Sequence, residues 1–279
     1  MKPPFTYFGG KTAIADRIAA LLPPHEHYVE PFAGSLAVLL AKHPSPMETV
    51  NDLDGDLMNF WRVLRDRPQD LERVCALTPH SRAEYLACYE PATDDMERAR
   101  RVWVNLTQGR GGQMRRTGWR YYADPSGGAS MPSYLVAYVT RLIPAAERLR
   151  SVSLECLDAI DIIRRYGSHS GALIYADPPY LESVRAKHIR GTSRGPQYSH
   201  ELRTDEDHAE LASALSACAA AVVLSGYDSP LYAELYEGWH RAEIGAQAGN
   251  GTARSRTEVL WSNRPFAERT LFDHMEDAS

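Results

Sequence analysis

The chain has 279 residues, 44% hydrophobic and 24% charged, an ordinary globular balance that excludes wholesale disorder, a collagen-like fibre and a coiled coil. Lysine and arginine number 31 against 36 aspartates and glutamates, and the resulting formal charge of -5 argues by itself against a protein that lives on nucleic acid. No run approaches the roughly 18 apolar residues of a membrane span, and MKPPFTYFGGK has no apolar stretch followed by a small-residue cleavage site, so neither membrane insertion nor export is expected. The four cysteines form no CxxC pair and the ten histidines no HExxH, which predicts no metal and no disulfide framework, and a reducing cytoplasm as the compartment.

In chain order, Ala13, Ile14, Ile18, Ala19, Leu21 and Leu22 recur at helical spacing, which predicts a helix over 12–22 that Pro23-Pro24 stop. Tyr28-Val29-Glu30-Pro31-Phe32 reads as a short strand, Ala33-Gly34-Ser35 as a turn and 36–41 as a helix, the opening of a nucleotide-binding βα unit. A second strand at 48–52 ends in Asp52, about twenty residues after the glycine turn, the spacing of an acid that grips a ribose. Further strands are expected at 151–157, 172–176 and 219–224, with a helix at 205–218 and a late strand at 258–261. The runs at 172–176 and 219–224 are apolar throughout, as strands covered on both faces of a parallel sheet must be. The fold class is therefore α/β, a Rossmann-like sheet with helices on both faces. Between them, helical stretches such as 57–64 and 97–105 surround a Gly/Arg-rich loop at 108–130, whose start, 108–113, reads as flexible and polar. This predicts an inserted, mostly helical module at 57–150 that splits the catalytic domain into 1–56 and 151–279.

The sharpest chemical signal is Asp177-Pro178-Pro179-Tyr180, placed just after Leu173-Ile174-Tyr175-Ala176. Ligands of parallel sheets gather beyond the carboxyl ends of the strands, so the tetrapeptide faces the expected site. Two prolines fix φ and remove two donors, leaving carbonyls that only accept; the carboxylate adds an acceptor and the tyrosine a flat stacking face. Acceptors beside an aromatic plate suit a planar aromatic amine, adenine or cytosine, whose amino group must be aimed at an electrophile. Plainer readings exist for single residues: Gly9-Gly10 as a loop, Asp52 as a helix cap before Leu57, Asp158 as a surface acid near a strand end.

The layout resembles the Dam-type adenine-specific DNA methyltransferases, which use S-adenosylmethionine and release S-adenosylhomocysteine. Tyr7-Phe8-Gly9-Gly10-Lys11 resembles their N-terminal cofactor motif, Glu30-Pro31-Phe32-Ala33-Gly34-Ser35 the glycine-turn motif, Asn51-Asp52-Leu53-Asp54 the ribose motif and Asp177 to Tyr180 the DPPY motif, in the family's order. The resemblance implies a methyltransferase sheet with a target-recognition module between the ribose motif and DPPY. It implies cofactor contacts from Tyr7, Lys11, Phe32, Gly34, Asp52, Asp158 and Asp177, and catalytic roles for Asp177, Pro178, Pro179 and Tyr180. It implies methylation of the 6-amino group of adenine in duplex DNA after base flipping. The chain departs from the pattern at Leu36, where a second glycine is common, and at Ala159, where an aromatic often follows the adenine-binding acid; both bear on cofactor fit.

Charge is distributed unevenly. Arg98, Arg100, Arg101, Arg110, Arg115, Arg116 and Arg120 fall in one stretch without an acid, so 98–120 carries +7 and the rest of the chain -12. Arginine suits phosphate and the acceptor edge of guanine. Arg110, Gln113, Arg115, Arg116 and Arg120, where similar proteins place a DNA-contacting hairpin, are expected to touch DNA, and Arg98, Arg100 and Arg101 to form a solvated helix face. A second basic loop after DPPY supplies Arg185 and Lys187 as further DNA contacts. Duplex DNA is the expected partner and a monomer suffices for one strand at a time. Restriction, phage self-protection and gene regulation all need this chemistry. The alternatives are a cytosine-amino or RNA-adenine methyltransferase and a catalytically weak DNA-binding regulator; a nicotinamide dehydrogenase lacks support because a full GxGxxG is missing.

Overall fold

The computed structural model describes residues 1–122, 130–179, 204–245 and 257–267. Seven strands, β1 (His27–Glu30), β2 (Met47–Asn51), β3 (Val152–Glu155), β4 (Ala172–Ala176), β5 (Ala221–Gly226), β6 (His240–Ile244) and β7 (Glu258–Ser262), form one sheet in the order β3-β2-β1-β4-β5-β7-β6. The first five in that order pair in parallel and β7 runs antiparallel between β5 and β6. Chain order reverses between β1 and β4, which makes the crevice beyond their carboxyl ends the place where a parallel sheet opens to a ligand.

The period-two pleat divides the apolar strands between two cores. Tyr28, Leu173, Tyr175, Ala221 and Val223 face one hydrophobic cluster, whereas Val29, Ala172, Ile174, Val222 and Leu224 face the other. The first face is covered by α1 (Ala15–Ala19), α2 (Ala37–Ala41) and four helices of the segment after β2, namely α3 (Gly55–Asp66), α4 (Pro68–Leu77), α6 (Asp95–Gln108) and α8 (Leu142–Leu149). With α5 (Arg82–Ala87) and α7 (Met131–Val139), these make the segment between β2 and β3 helical among the described residues. Trp61 and Trp103, fully buried on α3 and α6, belong to the same cluster as Tyr28 and Val50 of the sheet, so these helices close a sheet face. The second face is covered by α9 (Ala159–Gly167), α10 (Asp205–Ser216) and α11 (Pro230–Leu235), through Ile162, Ile163, Leu211, Leu215 and Tyr232.

Helix starts follow local chemistry. Asp54 accepts from the amides of Asp56 and Leu57 at the start of α3, Asp158 from Ile160 at α9, and Thr204 with Asp207 closes a capping box on α10. The helix expected over 12–22 is confined to Ala15–Ala19, because the chain enters it through a turn in which Ile14 N–H bonds Lys11 O and leaves it as Leu21 and Leu22 approach the prolines. The strand expected at 151–157 is limited to Val152–Glu155, since Leu157 N–H turns to the Asn51 side chain. β6 carries no signal in the sequence: as an edge strand with polar His240, Arg241 and Glu243 it lacks apolar alternation.

Candidate active site

The carboxyl ends of β3, β2, β1 and β4 open on a cavity of about 340 Å³. Every expected cofactor residue lines it: Tyr7, Lys11, Phe32, Gly34, Asp52, Asp158 and Asp177, with Pro178 and Pro179 beside them. Tyr180 lies outside the described residues, as do Arg185 and Lys187.

The turn after β1 is built on left-handed backbone. Gly34 has φ 47°, and a Cβ there would lie 3.0 Å from the Tyr7 ring, so both its conformation and its proximity to Tyr7 require glycine. Leu36, at the N-cap of α2, is also left-handed (φ 56°, ψ 30°) and fully buried. This accounts for the departure from the family pattern: the position asks for glycine's backbone, and leucine occupies it at a strain on the order of 1–2 kcal/mol, offset by burying its side chain. The turn is tied to β2 through Asp52, whose Oδ2 accepts from Gly34 N–H (3.0 Å) and whose Oδ1 accepts from Asp54 N–H (3.0 Å). Asp54, not Asp52, caps α3, which removes the plain helix-cap reading of Asp52. Asp158 does cap a helix, α9, while lining the cavity, and Ala159 lines it beside Asp158.

At the reversal point Asp177 meets Lys11. Lys11 Nζ donates to Asp177 Oδ1 at 2.6 Å and to Gly9 O at 3.1 Å, and stands 3.6 Å from Glu258 Oε1. Lys11 is buried. Burial pulls its pKa down, but Asp177 and Glu258 outweigh that and hold it above the ordinary lysine range. Sequence reasoning gave Glu30 no separate role, yet it is 3% exposed, lines the cavity and accepts from the Tyr28 hydroxyl at 2.9 Å. Burial raises its pKa to about 8 against that hydrogen bond, and the charge of Asp177 adds to the rise. An acid closing an otherwise apolar strand was the one available signal. Tyr175, also unassigned, lines the cavity from β4 and its hydroxyl is held well above the usual tyrosine range by burial.

The seven arginines fall into two groups. On α6, Arg98 pairs with Asp56 (2.6 Å) and Asp95, Arg100 with Glu84 and Glu97 (2.7 Å each), and Arg101 with Glu97 (2.7 Å), so these three brace helices instead of facing solvent alone. The guanidinium groups of Arg100 and Arg101 lower the Glu97 pKa to about 2. Arg110, Arg115, Arg116 and Arg120 make no ion pair with a carboxylate among the described residues. Arg110 lies over the Tyr121 ring, Arg116 over Tyr89, Arg120 over Tyr122 and Tyr134, and Arg115 donates to Gln113 Oε1 (2.8 Å). None of them lines the cavity.

The segment bearing them is pinned at its base, where flexibility was expected. Arg110 N–H bonds Gly118 O and Arg120 N–H bonds Gln108 O across a small hairpin. The Tyr85 hydroxyl accepts from Gly118 N–H (2.8 Å) and Thr117 N–H (3.1 Å), and Asn105 Nδ2 donates to Met114 O (2.7 Å). Phe8 N–H bonds Gly112 O at 2.8 Å, which joins the hairpin directly to the stretch of chain carrying Tyr7 and Lys11.

A reversed parallel sheet whose crevice is ringed by strand-end carboxylates, a glycine turn and an Asp-Pro-Pro edge is of the class of open α/β folds that bind a nucleotide-type ligand at the switch point. The model of the D12 class N6 adenine-specific DNA methyltransferases matches residues 7–249, and the chain belongs to that family. It is 27% identical to the Type II methyltransferase M1.LlaDCHI of Lactococcus lactis subsp. cremoris, covering 93% of this chain and 95% of that one. It is 26% identical to the Retron Ec67 DNA adenine methylase of Escherichia coli, over 90% and 88%. A solved S-adenosylmethionine-dependent methyltransferase from Agrobacterium tumefaciens aligns with 90% of this chain, which spans 60% of that one, at 13% identity and a TM-score of 0.33. The enzyme is thus an adenine-specific DNA methyltransferase, and the dehydrogenase and cytosine alternatives fall away. No helix among the described residues is long and apolar enough to cross a membrane.

Proposed function

We propose that this enzyme transfers a methyl group directly to N6 of a flipped adenine in duplex DNA, with the amino group held by the Asp177 carboxylate and the Pro178 carbonyl. The observation that carries the reading is the placement of Asp177 at the end of β4, on the cavity rim and fixed by a buried lysine at 2.6 Å. S-adenosylmethionine, when bound, supplies a methyl group on a cationic sulfur. The cavity's chemistry fits it: acidic acceptors Asp52 and Asp158 at the ends of neighbouring strands suit ribose hydroxyls and an adenine amino group, and the Cβ-free Gly34 brings the turn against Tyr7 beside them. Phe32 and Tyr7 supply apolar surface there, and Lys11 holds the Asp177 carboxylate at the cavity's edge.

On this reading Asp177 and the Pro178 carbonyl accept hydrogen bonds from the two amino N–H groups and thereby aim the nitrogen lone pair; Tyr180 stacks on the base. Extrusion costs a few kcal/mol of unstacking, which backbone and hairpin contacts offset. Alignment alone is worth about 7–11 kcal/mol as effective molarity, so no strong general base is needed: the nitrogen, made cationic by the new N–C bond, releases its proton to solvent afterwards, and Asp177 polarises the amine beforehand. Residues 57–150 serve as target-recognition module, with Arg110, Gln113, Arg115, Arg116 and Arg120, and Arg185 and Lys187 of the loop after DPPY, divided between phosphates and base edges. One chain is sufficient and no metal takes part. Incubation with labelled S-adenosylmethionine and mixed duplexes, followed by digestion to nucleosides, tests the reading. N6-methyladenine in duplex DNA is expected; label in RNA alone, or cofactor binding without transfer, would overturn it.

A further inference from the structure

Arg82 lies outside the basic stretch 98–120, yet the fold sets it against the hairpin. The connection runs through Gln108, a fully buried amide that is used at both ends. Its Nε2 donates to Pro79 O at 3.0 Å, while its Oε1 accepts from Ser81 N–H at 3.1 Å and from Trp119 Nε1 at 3.4 Å. His80 Nε2 stands 2.9 Å from Arg120 O, and since a carbonyl only accepts, that ring nitrogen carries the hydrogen. Residues 79–82 are thereby fixed to the returning arm of the hairpin.

What they build is a set of stacked flat groups. His80 stacks on Trp119 at 4.5 Å and 20°, and Trp119 on Tyr121 at 5.6 Å and 21°. The Arg82 guanidinium lies over Trp119 at 4.7 Å and over Tyr121 at 5.7 Å, and Arg110 reaches the same Tyr121 ring at 5.8 Å. Two cations thus converge on one ring, an arrangement that their repulsion disfavours and a nearby anion offsets. Arg82 also opens α5, a position that disfavours a cation, and Glu84 of the same first turn is engaged by Arg100 at 2.7 Å. The residue is exposed, and no carboxylate pairs with it among the described residues. Stacking occupies the plane of a guanidinium and leaves its N–H edge able to donate. A side chain laid across two rings has spent its reach at the protein surface, which suits the outermost groups of a duplex, its phosphates, over base edges in a groove.

We propose that Arg82, held on a platform of Trp119 and Tyr121 that His80 backs, binds a backbone phosphate of duplex DNA beside the hairpin, so that the DNA-binding surface extends from the hairpin onto α5. The inference rests on the reading of the hairpin as the DNA-contacting element of the module at 57–150. Arg82 touches no reacting atom; its contact fixes the register in which the duplex meets the hairpin.

Binding of a fluorescent mixed-sequence duplex to the full-length protein, followed by anisotropy across a salt series, tests this. Arg82→Gln is expected to reduce the slope of log affinity against log salt by about one. Arg82→Lys should keep the wild-type slope and bind more weakly, since it retains the charge and loses the plane that lies on Trp119. Sequencing of modified bases in DNA exposed to Arg82→Gln should find the same target sequences as for the wild type, methylated to a lower extent. An unchanged slope in Arg82→Gln would overturn the proposal, and so would altered target sequences, which would put Arg82 on a base edge. Should Arg82→Gln not fold, an Arg82→Lys protein that binds as tightly as the wild type overturns it equally. If Arg116→Gln lowers the slope and Arg82→Gln does not, the hairpin reading stands and only the α5 contact fails. A wild-type protein whose affinity for DNA ignores salt would instead refute the hairpin reading itself.

Discussion

The cleft and the hairpin both depend on charge and handle it in opposite ways. In the cleft Lys11, Asp177 and Glu258 are buried or nearly so and hold one another within 2.6 and 3.6 Å, while burial raises the pKa of Glu30, on the same cavity, to about 8. On the hairpin Arg110, Arg116 and Arg120 rest on tyrosine rings, at about 5.3 to 5.9 Å, and face no described carboxylate. On α6 three further arginines are consumed in ion pairs. Ion pairing fixes a group where geometry must be held to a fraction of an ångström; stacking on an aromatic face extends an arginine while leaving its N–H edge available to a polyanion.

Substitutions in both regions put this contrast at risk. The largest effect is expected at Asp177. Asp177→Ala should lower kcat by about 10²- to 10³-fold, comparable with removal of a principal transition-state interaction, as followed by methyl transfer to duplex DNA. Because it also removes a partner of buried Lys11, a lower melting temperature should accompany it, whereas Asp177→Asn should be inactive but less destabilised. Retention of near-wild-type methylation by either would refute the assigned role.

Next comes the turn. Gly34→Ala places a Cβ 3.0 Å from Tyr7 in a left-handed backbone, and the cost of roughly 1–2 kcal/mol should appear as about a tenfold weaker affinity for S-adenosylmethionine, measurable by titration.

Glu30 yields a pH signature. Its folded pKa of about 8 exceeds its unfolded value, so the folded state binds the extra proton between about pH 4.5 and 8; its contribution to stability is complete below that window and declines as pH rises through it. Glu30→Gln should therefore match the wild type near pH 5 and be the more stable protein near pH 9, with the difference read from urea midpoints. A pH-independent difference would show that Glu30 does not titrate in this window.

The smallest effects separate the two arginine groups. Arg116→Gln should reduce the slope of log affinity for DNA against log salt by about one for each phosphate that the arginine neutralises, with little change in stability. Arg100→Gln should leave that slope unchanged and destabilise modestly, since it removes the bridge between Glu84 and Glu97. The reverse outcome would mean that α6, not the hairpin, faces DNA.

Much of this is legible in the chain itself. Apolar runs such as 172–176, the glycine turn at Gly34 and the acids at Asp52, Asp158 and Asp177 declare themselves because strand burial and tight turns restrict residue type locally. All seven expected cofactor positions line one cavity. The length of the first helix, the edge strand β6 and the rigid base of the hairpin are not legible, since edge strands need no apolar alternation and Tyr85 and Asn105 act on residues distant in sequence. The charge of +7 over 98–120 is real in count and misleading in effect, because the acids that neutralise Arg98, Arg100 and Arg101 come from outside that stretch, Asp56 from α3, Glu84 from α5, and Asp95 and Glu97 from the start of α6 itself.

Local order along the chain thus suffices for the family motifs, the α/β class and the position of the Asp-Pro-Pro edge, all of which depend on near neighbours. Which charges act is settled by the folded arrangement. Asp177 is 166 residues from Lys11 and Glu258 lies further still along the chain, yet β4 and β7 bring both carboxylates onto one ammonium. Coulomb energy depends on distance through the fold and on burial, neither of which is written in local order.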